Sequence, residues 1–287
     1  MNKKETGEFI YRFYRKRTTS FLANLYKASI TGEQEDIHQA RVDVKKILAL
    51  FRLFEIVLPD FFQKDDYFYL FRRLFDITGK IREIQVNEIL LNQYGCENSE
   101  TLRYRDFLKS EETRLTKQFL LTVQNFEERN LKKTEVEIRR IGKKIGREKF
   151  VTLAYKFVLK KARKTRKILN EKKSPEYLHK IRQNLKSICA IASLSNSIKK
   201  DEKLSDILSD LLKTEIHIGE WHDNQVFIES IQSFLKKMAK ARNCRFILMK
   251  KLRIQIIKEN LVIQKAILPE LGLLLSTILD PPRQLSS

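Results

Sequence analysis

The sequence predicts an all-α protein, and three observations carry that prediction. Of 287 residues only 8 are Gly and 5 are Pro, so the punctuation of a strand-and-turn protein is scarce. Long stretches are rich in Leu, Ile, Lys, Arg, Glu and Gln, all good helix formers. Apolar residues recur at helical spacing, and no stretch alternates convincingly as a strand. With 42% hydrophobic and 32% charged residues, the composition is that of a folded chain with a substantial core.

The elements follow in order. Lys4 to Ser29 reads as a first helix, closed by the turn signal Thr31-Gly32. Glu35 to Leu58 is a second, with Ile37, Ala40, Val44, Ile47, Phe51 and Phe54 on one face; Pro59 ends it, because proline disfavours helix in the residue before it. Asp65 to Gln93 is a third, with Gly79 as a candidate break and Gly95 closing it, and Glu100 to Glu128 is a fourth. A basic helix covers Arg147 to Asn170. Ser174-Pro175-Glu176 then opens a helix to about Ser193, with Ser as N-cap and Pro at the first position. Asp201 to Met238 carries helical periodicity with a candidate bend at Gly219, and Asn243 to Ala266 and Pro269 to Leu279 finish the chain. The apolar tail from Leu261 is interrupted by Gln264, Lys265, Pro269 and Glu270, so it reads as a core helix rather than a membrane span.

The formal charge is +21, far beyond what solubility requires, and such an excess points to a polyanionic partner. It is also concentrated. Lys143 to Lys173 holds 13 Lys and Arg against Glu148 and Glu171, and Lys236 to Lys258 holds nine with no acid. The three cysteines, Cys96, Cys189 and Cys244, lie far apart and form neither a disulfide framework nor a thiolate zinc pattern. The opening residues MNKKETGEFI lack the apolar segment of a secretory leader, so a cytoplasmic location is expected.

An internal repeat singles out the functional candidates. Ile37-His38-Gln39-Ala40-Arg41-Val42-Asp43-Val44-Lys45 matches Leu178-His179-Lys180-Ile181-Arg182-Gln183-Asn184-Leu185-Lys186, an H-x-x-R-x-x-x-K pattern repeated at an offset of 141. Gly79-Lys80-Ile81-Arg82-Glu83-Ile84-Gln85-Val86 matches Gly219-Glu220-Trp221-His222-Asp223-Asn224-Gln225-Val226 at an offset of 140, and Arg73 corresponds to Lys213. Two separated matches at nearly one offset indicate a duplication, with a first half of about 1–140 and a second of about 141–287. Residues i, i+3 and i+7 share a helix face, so His38, Arg41, Lys45 and, two turns on, Arg52 form a stripe beside the apolar one. His179, Arg182 and Lys186 do the same. Histidine donates to phosphate oxygens, Arg offers a planar fork and Lys a mobile point charge.

These residues resemble the CHAD family, the histidine-containing α-helical domain. The His-helix of each half and, some 40 residues later, a Gly-x-x-Arg/His-acid segment stand in the family's order over essentially the whole chain. The resemblance implies a single all-helical domain of two pseudo-symmetric four-helix halves around a basic central channel. It also implies binding of inorganic polyphosphate and recruitment to polyphosphate granules. By the same resemblance His38, Arg41, Lys45, His179, Arg182 and Lys186 face the polyanion, and Arg82 and His222 take the family's basic position before an acid, here Glu83 and Asp223. Arg12 and Arg15 on the first helix, and Lys156 and Lys160 on its counterpart, are nominated from basic helix faces. The chain departs from the family in the dilution of its His-helices by Asp43, Gln183, Asn184 and Ser187, and in Glu83 at a position where aspartate is usual.

Catalysis is not expected. No G-x-x-x-x-G-K-[ST] or H-E-x-x-H occurs, no nucleophile–base–acid set can be assembled, and no cofactor is implied. His217 and His222 are five residues apart, which spreads the imidazoles around a helix rather than aligning them on a metal. The competing reading is RNA binding. Tyr11-Arg12-Phe13-Tyr14-Arg15-Lys16-Arg17 interleaves aromatics with cations, as surfaces that stack single strands do, although an amphipathic helix with Phe13 and Tyr14 in the core gives the same pattern. Membrane-surface binding by the basic helix is a weaker option.

Overall fold

In a computed structural model, residues 3–94, 97–172, 176–198, 202–240 and 246–280 are described, and they form nine helices with no strand among them. The first half supplies α1 (Lys3–Thr31), α2 (Gln34–Val57), α3 (Asp65–Gln93), α4 (Ser99–Gln124) and α5 (Glu128–Gly142); the second supplies α6 (Arg147–Glu171), α7 (Tyr177–Ile198), α8 (Glu202–Lys240) and α9 (Ile247–Leu279).

Local chemistry accounts for most of the boundaries. Gly32 takes a left-handed φ of 70° and its amide reaches the Ala28 carbonyl at 3.0 Å, which closes α1. Leu58 caps α2 immediately before Pro59. Asn98 opens α4 with a capping box, its side chain accepting from the Glu100 and Thr101 amides while Thr101 Oγ1 accepts from the Asn98 amide. The expected starts at Ser174-Pro175, Asp201 and Asn243, the stop at Gly95, and Cys96 and Cys244 all lie outside the described residues.

Three expectations are corrected. α3 runs unbroken through Gly79, and α8 is likewise one continuous helix through Gly219. The two final helices are one, α9, which continues through Pro269. Proline there deprives the Lys265 carbonyl of its helical donor, but Lys265 and Pro269 are both exposed, so water can take its place. The fourth helix stops at Gln124, and α5 follows as an element the sequence reading did not contain. It seats on α1 through two glycines. A Cβ on Gly7 would lie 2.9 Å from the Gly142 carbonyl carbon, so only a bare backbone permits this approach.

The packing repeats across the duplication. α1 packs on α2, α2 on α3 and α3 on α4, and α4 returns to α1; α6, α7, α8 and α9 close in the same cycle. The halves then meet through equivalent helices, α2 against α7 and α3 against α8. Apolar burial follows the repeat less closely. One core takes in the first half together with Ile191, Phe227, Phe234 and Ile256 of the second, and a smaller one fills the rest of α6 to α9. Tyr104 of α4 packs edge-on to Phe234 and donates to Ser230 Oγ at 2.7 Å, fastening the halves together.

Candidate functional site

The site begins with the faces of α2 and α7. Ile37, Ala40, Val44, Ile47 and Phe51 turn into the core, which leaves His38, Arg41, Lys45 and Arg52 on the adjoining face. On α7, Leu178, Ile181, Leu185 and Ile188 are buried beside His179, Arg182 and Lys186. Because α2 packs on α7, the two stripes come together as one candidate cleft, and α3 and α8 add Arg82 and Glu83, and Glu215, His222 and Asp223.

The charges of the two halves act directly on one another. Burial lowers the Lys45 pKa, and Arg41 of its own helix and Arg182 of the other half lower it further, against Glu215 and Asp223. Lys186 is pushed down to about 8 by burial and then by Arg182 and Lys45. Lys45 is nevertheless open to water.

The histidines sit in the same field. His179 and His222 lie with ring centroids 5.5 Å apart, and His179 Nε2 is 2.8 Å from the Gln183 amide nitrogen. Burial, then Arg182, His179 and Lys186, push His222 down to about 3, so it is neutral at physiological pH. The His38 pKa is likewise lowered, first by burial and then by Arg82. Asp223 is raised by burial against the pull of Arg182, Lys186, Arg82 and Lys45. Glu83 is raised by burial against Arg41 and Lys80.

At the far end of α2, Arg52 donates to Ser187 Oγ at 3.2 Å and joins a second basic group. Lys161 of α6 has its pKa lowered by burial and then by Lys164, Arg52 and Lys160. From His38 to Arg52 the α2 stripe extends about 21 Å, at 1.5 Å per residue. A related duplication lies behind it. Arg17 Nη1 donates to Asp43 Oδ1 at 3.2 Å, and Lys161 Nζ donates to Asn184 Oδ1 at 3.3 Å, with Asp43 and Asn184 equivalent in the repeat.

The structure therefore brings together His38, Arg41, Lys45, Arg82, His179, Arg182, Lys186 and His222, with Arg52 and Lys160 at one end. Other nominated residues lie apart. Arg73 lines a cavity of about 580 Å³ between α3 and α4 with Arg72, Lys80 and Gln118. Lys213 is exposed, 3.5 Å from Asp210. Arg12 pairs with Glu8 at 3.2 Å and Arg15 approaches Glu135 of α5 at 3.9 Å, while Lys156 is exposed on α6. His217 bonds Glu270 of α9 at 2.9 Å, on a different flank of α8 from His222. Among the described residues no three His, Cys, Asp or Glu side chains are placed to share a metal ion.

Two cleft residues escaped the sequence reading. Glu215 stands seven residues before His222, so helical spacing put it on the same face, but its repeat partner is Phe75 and the duplication drew no attention to it. Lys161 was hidden in a run of basic residues whose solvent face and cleft face only packing separates.

A comparison with solved structures finds a crystal structure of the CHAD domain from the plant Ricinus communis, with a TM-score of 0.70 at 14% identity, covering 93% of this chain and 91% of that one. No curated protein matches. At that identity the likeness establishes the fold alone. The model of the CHAD domain matches residues 14–232, which include both His-helices, both Gly-x-x-Arg/His-acid segments and the cleft between them. The chain belongs to the CHAD family.

Proposed function

We propose that the cleft binds inorganic polyphosphate and does not turn it over. The observation that carries this reading is the convergence of two His-x-x-Arg-x-x-x-Lys stripes, one from each half, in which Lys45 and Arg182 lower the Lys186 affinity for protons and Arg182 lowers that of Lys45. Such like-charge crowding costs free energy in the empty protein and is relieved by a polyanion. Polyphosphate offers repeating charge and no bases to read, and this cleft offers a concentration of cations and histidines. The family's association with polyphosphate binding supports the same reading. Glu215 and Asp223 are engaged with Arg182, Lys45 and Lys186, which suits acids that orient basic groups. A cytoplasmic protein gathered at polyphosphate granules is the corresponding cellular proposal.

RNA binding is the second reading, and the aromatic–cation segment of α1 was its basis. Tyr14 is fully buried, Phe13 lies under Arg17 at 5.4 Å, and Tyr11 lies under Arg139 at 4.9 Å. Those rings are occupied, which favours polyphosphate.

The test is a competition titration at near-physiological salt between long-chain polyphosphate and single-stranded RNA, with wild type and Lys45→Ala/Arg182→Ala/Lys186→Ala. Polyphosphate should win at equal phosphate concentration, and the variant should lose it. A win for RNA, or undiminished polyphosphate binding by the variant, defeats the reading.

A further inference from the structure

The outer face of α9 combines features that the cleft does not use. Ile254, Leu261, Val262 and Leu273 are 51, 51, 67 and 73% exposed, in the helix that contains the most apolar stretch of its kind among the described residues. By length and composition α9 could cross a membrane, with a mean hydropathy of 1.5 over its best window, and only 28% of that window is buried. Its inner face is committed to the fold. Met249, Ile256, Ile267, Leu271 and Ile278 are buried, and Asn260 with them.

Lysines are set into the same outer face. Lys251, Lys258 and Lys265 recur every seven residues and are all exposed, interleaved with Ile254, Leu261 and Val262. The two acids within the helix are drawn aside. Glu259 accepts from Tyr94 Oη at 2.5 Å and from Gln255 at 2.9 Å, and Glu270 pairs with His217 at 2.9 Å. The exposed face of α9 is therefore aliphatic and cationic, and both of its acids are engaged by neighbouring side chains.

That combination selects an occupant. A second copy of the same face would set lysines against lysines with nothing to neutralise them. A purely apolar partner would bury the ammonium groups unpaired. An interfacial bilayer position satisfies both kinds of side chain, because aliphatic groups enter the acyl boundary while lysine stems extend to anionic headgroups. We propose that α9 docks this protein, lying flat, on a membrane surface containing anionic phospholipid. α9 contributes none of the cleft residues, so the docking does not depend on what the cleft binds.

The experiment is vesicle co-sedimentation of the full chain with phosphatidylcholine alone and with added phosphatidylglycerol. A chain of net charge +21 is attracted to any anionic surface, so the decisive variant keeps its charge. Ile254→Gln/Leu261→Gln/Val262→Gln should lower the affinity for anionic vesicles by about tenfold or more, through lost apolar insertion, with an unchanged melting temperature. Lys251→Gln/Lys258→Gln/Lys265→Gln should lower it as well, and Arg182→Ala/Lys186→Ala should not. Wild-type binding that the aliphatic variant retains in full would overturn the proposal, as would no binding to the anionic vesicles. Loss of binding in the cleft variant would instead make the headgroup a cleft ligand, and a wild-type dimer dissolved by the aliphatic changes in sedimentation velocity would make the occupant a second copy.

Discussion

Arg41 and Arg182 are equivalent in the repeat, yet only Arg41 is tied down. Its Nη1 donates to the Phe75 carbonyl oxygen and, at 3.2 Å, to Thr78 Oγ1, and its guanidinium lies 4.4 Å over the Phe75 ring. Arg182 has a buried Nε with no hydrogen-bond partner, and it faces Asp223 and Glu215. The cause is local sequence. Where the first half has Phe75 and Thr78, the second has Glu215 and Ile218, so the anchoring ring and hydroxyl are gone. Duplicated residues have diverged into a braced arginine and one without such an anchor.

Separate losses are expected from the two arginines. Arg41→Ala should destabilise the fold by about 1–3 kcal/mol, through lost hydrogen bonds and packing, with a small effect on polyphosphate affinity. Arg182→Ala should weaken polyphosphate binding by about tenfold to a hundredfold, as charge-assisted hydrogen bonds are lost, with little change in stability. Denaturant titrations and binding isotherms on both variants check this. A matched pair of effects would mean the two halves are equivalent after all.

The paired glycines should respond in opposite ways. A Cβ on Gly79 would lie 3.0 Å from Arg41 Nη1, whereas a Cβ on Gly219 meets nothing within 4 Å. Gly219→Ala should therefore gain up to about 1 kcal/mol from helix propensity. Gly79→Ala should forfeit that gain by displacing the anchored guanidinium. Chemical unfolding of the two variants is the measurement.

Acid should destabilise the empty protein before its carboxylates titrate. His222 is held near 3 in the fold against an ordinary 6.5, so between those values the unfolded chain binds the proton and the folded one does not. Stability is full above pH 6.5 and is lost as pH falls through that window. The groups facing His222 are Arg182, His179 and Lys186. His38 is shifted in the same direction and adds to the slope. Melting curves between pH 6.5 and 5 should show a shallower decline for His222→Gln than for wild type.

Polyphosphate binding should weaken as pH rises above about 8, where Lys186 loses its proton in the empty cleft. A bound polyanion holds that proton on, so binding takes up protons in this range, and affinity falls with increasing pH. Calorimetry in two buffers of different ionisation enthalpy reads the uptake directly. Lys186→Arg should remove most of the dependence, since a guanidinium remains charged throughout.

The helices and the cleft were legible in the sequence to different degrees. Pro59 and Gly32 marked their boundaries because proline and a left-handed turn act within a few residues. Gly79 misled for the opposite reason. A glycine inside a long helix weakens it by only about 1 kcal/mol relative to alanine, too little to break it. α5 was legible as a helix, since Leu131, Thr134, Ile138 and Ile141 recur at helical spacing, whereas its seat on α1 through Gly7 and Gly142 joins residues far apart in sequence. In the cleft, Lys45 and Lys186 were named from spacing alone, whereas Glu215 and Lys161 were not.

By itself, the sequence determined the helical class, the duplication, the apolar faces and the two His-x-x-Arg-x-x-x-Lys stripes, since each is a periodicity along a single segment. Tertiary structure alone decided that the stripes come within reach of each other's charge, that Arg41 is anchored while Arg182 is not, and that the His222 pKa is pushed down. Those properties depend on the distances between groups on different helices, and burial and Coulomb interactions follow distance in space rather than position in the chain.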